Sequence, residues 1–129
     1  MNSFSISTNK REQLVDITSK VREIVSKSNV KDGIVVVYTK HTTSGITINE
    51  NADPDVKSDM LMGLKDIVKD LPYEHSEGNS DAHIKSSLMG SSVTIILEDG
   101  KMQLGTWQGI YFCEFDGPRT RTVLVKVLD

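Results

Sequence analysis

The chain has 129 residues and a formal net charge of −3, from 15 Lys and Arg against 18 Asp and Glu. One core fits that length. A (β/α)8 barrel, which needs about 250 residues, and a two-domain dinucleotide enzyme are excluded. With 37% hydrophobic and 26% charged residues the composition is that of a globular domain, and no cluster of Lys and Arg draws it to nucleic acid or an anionic membrane.

The start, Met1-Asn2-Ser3-Phe4-Ser5-Ile6, has neither the basic residues nor the apolar stretch of a secretory signal. Cys113 is the only cysteine, so no intrachain disulfide forms and a reducing cytoplasm is the expected location. Phe4 and Ile6 alternate with serines, which predicts a half-buried strand that Gln13 to Ile17 continues. Thr18 is the expected N-cap of a first helix over Ser19 to Ser28, with Val21, Ile24 and Val25 on its apolar face.

Ile34 to Tyr38 and Gly45 to Ile48 read as strands. Asp53 before Pro54 starts a second helix, because the Asp side chain accepts from free N–H groups and proline loses nothing at the first helical position. Val56, Met60, Leu64, Ile67 and Leu71 form its predicted stripe. Pro72 to Ala82 is polar and reads as a loop or flap, after which Asp81 caps a short helix to Met89. The remainder is strands: Ser92 to Glu98, Lys101 to Leu104, Gln108 to Phe115 and Thr120 to Leu128, with turns at Asp99-Gly100 and Asp116-Gly117-Pro118.

This order predicts one α+β domain over residues 1–129, an antiparallel sheet or sandwich with two to three helices. Val93 to Leu97, Ile110 to Cys113 and Val123 to Val125 are apolar on both faces. Sheets of that kind would expose interface-sized apolar patches, so a homo-oligomer is expected.

His41, His75 and His83 each lie at an element's edge. If the polar loop folds over the strand end that carries His41, the three imidazoles could meet as a zinc-type site with an open position, or remain three separate surface histidines. Carboxylates at Glu50, Asp53, Asp59, Asp81 or Glu114 could join them. Thr42-Thr43-Ser44 beside Gly45 suits a phosphate, although threonine also simply favours strands. Arg119 and Arg121, two residues apart, would share one strand face and could hold a phosphoryl group. No nucleophile elbow presents Ser44, and no P-loop or dinucleotide fingerprint is present. Trp107, between Gly105 and Gly109, is either a stacking residue or a packing anchor.

Taken in order, His41-Thr42-Thr43-Ser44, Glu50-Asn51-Ala52-Asp53-Pro54, Asp81-Ala82-His83-Ile84-Lys85, Gly105-Thr106-Trp107-Gln108 and Glu114-Phe115-Asp116-Gly117-Pro118-Arg119 resemble the YjbQ-like family, also called the secondary thiamine-phosphate synthase family. The resemblance implies a β-sandwich assembling as a homotrimer, with a pocket near the subunit boundaries. It implies His41, His83, Asp81 and Glu50 as catalytic candidates, and Thr42, Thr43, Asp53, Lys85, Trp107, Gln108 and Arg119 as substrate-binding candidates. His41, His75 and His83 are the implied ligands of a divalent metal, zinc or magnesium. The implied substrates are small and phosphorylated: a thiazole phosphate's ring nitrogen displaces pyrophosphate from a pyrimidine's CH2 group. Two other chemistries fit the same pocket, a metal-dependent hydrolase and a non-catalytic trimer that binds an anion or metabolite.

Overall fold

The computed structural model describes residues 1–129. In chain order the elements are β1 (Asn2–Ser7), β2 (Gln13–Asp16), α1 (Thr18–Ser28), β3 (Gly33–Tyr38), β4 (Ser44–Glu50), α2 (Pro54–Ile67), α3 (Ser80–Met89), β5 (Ser92–Glu98), β6 (Lys101–Met102), β7 (Gln108–Glu114) and β8 (Thr120–Leu128). The fold is α+β, with two antiparallel sheets ordered β1-β8-β3-β5-β6 and β2-β7-β4.

Between the sheets lies the main core. Val35, Val37, Ile95, Leu97, Val123 and Val125 come from the five-stranded sheet, and Ile46, Ile110 and Phe112 from the three-stranded one. Helix α1 adds Val21 and Val25 to the same cluster. The other face of the small sheet packs on a second cluster of Leu14, Ala82, Tyr111, Cys113 and Phe115, against which Met60, Leu61, Leu64 and Met89 of α2 and α3 rest. Strand β7 is therefore buried on both faces by its own chain, which accounts for the unbroken apolar run Ile110 to Cys113 without a partner subunit. Burial also pushes the Cys113 thiol up to about 12, so it stays a protonated small hydrophobe.

Several local details depart from the periodic reading. Gln13 to Asp16 does not continue β1; the chain crosses to the second sheet, where Leu14 pairs with Cys113. Thr18 is the first residue of α1 and not its cap. Asp16 stands in for a cap, since its Oδ1 accepts both the Thr18 N–H at 2.9 Å and the Thr18 hydroxyl at 2.6 Å. That hydroxyl in turn accepts the Ile110 N–H at 2.9 Å, tying the helix start to β7. Asp53 caps α2 by accepting from the Asp55 N–H at 2.9 Å. The helix stops at Ile67, however, leaving Ile67 and Leu71 exposed. Asn79 occupies the N-cap position of α3, and Asp81 lies in its first turn.

Phe112 fills the space between the sheets with no solvent exposure. Replacing Phe112 with Ala should lower unfolding free energy by about 3–5 kcal/mol, read from urea unfolding curves, whereas Phe112→Leu should cost markedly less.

Candidate functional site

One end of the sandwich gathers polar chain segments from both sheets and from α3. The β3–β4 connection brings Lys40, His41, Thr42 and Thr43; the chain before and within α3 brings Glu77, Asn79 and His83; the β7–β8 end brings Asp116, Arg119 and Arg121. Together they line a cleft of about 380 Å³ that has no hydrophobic residue in its wall. His75 stands edge-on to His83, with ring centroids 5.7 Å apart, and its Nε2 is 3.8 Å from a Glu77 carboxylate oxygen.

The cleft floor is an ion pair between the sheets. Arg121 occurs in β8 at the same inward phase as Val123 and Val125, and Glu114 ends β7; they are 2% and 0% exposed. Arg121 Nε donates to Glu114 Oε1 at 2.8 Å and Nη2 donates to Oε2. Thr8 Oγ1 donates to Oε1 at 2.8 Å and the Asp116 N–H to Oε2 at 3.0 Å. Burial pushes the Glu114 carboxyl up, but these bonds outweigh it and hold the group below the ordinary carboxylate range. Arg121 Nη2 also donates to Thr43 Oγ1 at 2.8 Å and to its carbonyl at 3.2 Å, which fixes the loop carrying His41.

Above this floor, Arg119 is steered by Asp116: its Nε donates to the carbonyl at 2.9 Å and Nη2 to Oδ2 at 3.2 Å. The same carboxylate oxygen accepts from Asn79 Nδ2 at 2.9 Å. That bond sets the amide's orientation and leaves Asn79 Oδ1 buried with no hydrogen-bond partner, an acceptor that a ligand's O–H or N–H would satisfy. His41 Nε2 accepts the Thr122 N–H at 3.0 Å. Desolvation, then the positive charge of Arg121, holds the His41 ring below its ordinary pKa despite Glu114.

The other sequence candidates divide away from this cleft. Asp81 accepts two bonds from Arg11, both at 3.0 Å, and Lys85 Nζ is 3.4 Å from the same carboxylate while also donating to Glu12. Arg11 is the main reason that Asp81 sits below the ordinary range. Asp81 and Lys85 thus line a neighbouring charged cavity with Arg11, Glu12 and Lys65, and Lys85 is only 2% exposed. Glu50, Asp53, Trp107 and Gln108 lie at the opposite end of the small sheet. Glu50 pairs with Gln108 six residues along β4 from the Ser44–Glu114 pair, about 20 Å away at the strand rise. There Trp107 is 62% exposed, and Gln108 Oε1 accepts the Gly105 N–H at 2.7 Å. At Gly109 a Cβ would come within 2.4 Å of Asn51 Nδ2, so the last glycine of that segment makes room for Asn51.

Arg119 and Arg121 do not share a face: Arg119 precedes β8 and is exposed, and Arg121 is buried. The signal for Arg121 was present as an arginine in phase with the inward valines of β8. Lys40, Asn79 and Asp116 had no periodic signal, because they become neighbours only through the chain's return. Within one chain no group of three His, Cys, Asp or Glu side chains is placed to hold a metal ion.

Arg121→Met strands a buried carboxylate and should cost about 3–5 kcal/mol of stability in urea unfolding. The depressed carboxyls of Glu114, Asp81 and Asp16 bind protons in the unfolded chain at higher pH than in the folded one. Their stabilisation is therefore complete above the ordinary carboxylate pKa of about 4 and is lost as pH falls through the folded values. Glu114→Gln should reduce that acid slope, measured as unfolding free energy between neutral pH and about pH 3.

A family profile described as "UPF0047 protein YjbQ-like" matches residues 2–129. A UPF0047 protein of Methanocaldococcus jannaschii is 60% identical over 126 residues, covering 97% of this chain and 91% of that protein. The UPF0047 protein YugU of Bacillus subtilis is 49% identical, covering 99% and 98%. Among solved structures, a YjbQ/UPF0047 family protein of Clostridium acetobutylicum superposes with a TM-score of 0.97 at 56% identity, covering 99% of this chain and 100% of that one. A protein of Sulfolobus solfataricus, described as of unknown function, gives 0.94 at 32% identity, covering 98% and 94%. The chain belongs to the UPF0047 YjbQ-like family.

Proposed function

We propose that the cleft binds the phosphate groups of a small phosphorylated substrate, and that the chain is a transferase of the secondary thiamine-phosphate synthase type. The observation that carries the first part is the wall itself: Lys40, His41, His83 and Arg119 face one polar cleft. Such donors neutralise phosphoryl oxygens, and arginine does so through paired N–H groups. The transfer step rests on the family resemblance. In it the thiazole nitrogen's lone pair forms the new C–N bond while the C–O bond to pyrophosphate breaks, its electron pair leaving with the pyrophosphate. Charge developing on that leaving group is what Lys40 and Arg119, on the same wall as Glu77 and Asp116, would stabilise. Asp116 keeps Arg119 turned to the cleft, with Nη1 left for the ligand.

We further propose a homotrimer in the cytoplasm. Outside the five-stranded sheet, Ile34, Tyr38, Ile96 and Leu128 are exposed, and Ile34 lies opposite both Ile96 and Leu128. A second copy would cover this patch. No helix of the chain is long and apolar enough to cross a membrane.

Purified protein incubated with the thiazole phosphate and pyrimidine pyrophosphate should release inorganic pyrophosphate. Arg119→Ala should weaken pyrophosphate binding about 10-fold to 100-fold by calorimetry, the loss expected for one hydrogen bond to a charged group. His83→Ala should abolish turnover with assembly intact. Pyrophosphate binding without turnover would instead identify a metabolite-binding protein, and water as sole co-substrate a hydrolase. In sedimentation experiments the chain should run as three copies, and Ile96→Lys should shift it to monomer.

A further inference from the structure

A neutral imidazole carries one proton and one lone pair, and in His41 the lone pair is already engaged. Its Nε2 accepts the Thr122 backbone N–H at 3.0 Å. The reason is topological. Strands β3 and β8 pair from Ile34–Leu128 to Tyr38–Leu124, and extending that register would place Lys40 opposite Thr122. Strand β3 ends at Tyr38, and the chain turns away through Thr39, whose hydroxyl accepts the His41 N–H at 3.2 Å. The His41 ring thus supplies the acceptor that the missing strand residue would have provided.

From this geometry we infer that His41 is held as a neutral Nδ1–H tautomer which donates a hydrogen bond directly to an oxygen of the bound phosphate group, and that it is not a metal ligand. The inference rests on the reading of the cleft as a phosphate site and assigns His41's part in it. A proton on Nε2 would set N–H against N–H and break the bond to Thr122. A metal on Nδ1 would require that nitrogen to lose its proton while Nε2 keeps accepting, which a neutral ring cannot do. Arg119 Nη1, His83 and Lys40 would meet the remaining oxygens.

Long-range 1H–15N spectra of the intact protein near neutral pH test the assignment, with inorganic pyrophosphate and zinc ion as separate probes. His41 is expected as the Nδ1–H tautomer in the free protein. Pyrophosphate should shift and protect the Nδ1 proton, and zinc alone should leave both His41 nitrogens unmoved. His41→Ala should weaken pyrophosphate binding about ten-fold or more without changing zinc affinity. An Nε2–H tautomer, or zinc-induced shifts at His41, with pyrophosphate still binding the wild type, overturns the role of His41 and leaves the cleft's reading intact. Failure of wild-type protein to bind pyrophosphate at all overturns that reading, while the tautomer in the free protein still decides the metal question.

Discussion

The Glu114–Arg121 pair is the constraint on which the cleft end of the molecule depends. It joins β7 of one sheet to β8 of the other at the mouth of the sandwich. Thr8, from the chain after β1, and Thr43, from the loop before β4, complete its hydrogen bonds. A buried ion pair is expensive to desolvate and is weak evidence for stability as such. Here its geometric result is clear, because four separate chain segments are held in register just beneath the cleft. Every donor proposed to meet the ligand sits within a few residues of one of those segments or on α3.

The fold was legible in the sequence wherever one periodicity dominated. Alternation and turn signals located the strands of the second half, and the Asp53-Pro54 pair located the start of α2. The sequence did not reveal which sheet a strand enters. Phe4 and Ile6, then Leu14 and Val15, are chemically alike, and the crossing between sheets depends on register against β8 and β7. The apolar run of β7 was also ambiguous, since a covering helix and a covering subunit leave the same trace in the sequence. Ile34 and Ile96, by contrast, stay uncovered within the chain.

For the site, residue type was a better guide than residue grouping. His41, His83, Thr42, Thr43 and Arg119 do line one cleft. Asp81 and Lys85 carry suitable chemistry but are engaged by Arg11 and Glu12 on a neighbouring cavity. Glu50, Asp53, Trp107 and Gln108 are specific as a motif and lie a strand's length away. Residues that stand out together in a sequence can serve folding at one end of a sheet and chemistry at the other. The Gly109–Asn51 contact and the Asp53 cap are folding reasons of that kind.

Strand β7, enclosed between the large sheet and the helix layer, ends in the residues that make the cleft floor. Segments enclosed on both sides open only with the whole domain, so amide protons along β7 belong among the slowest to exchange with solvent. The Glu114–Arg121 platform under the cleft is consequently ordered once, during folding, and would contribute little further loss of conformational freedom on binding of the proposed ligand. In the proposed phosphate site, selectivity for ligand shape would then be set by a rigid base, with adaptation left to the exposed chain between α2 and α3.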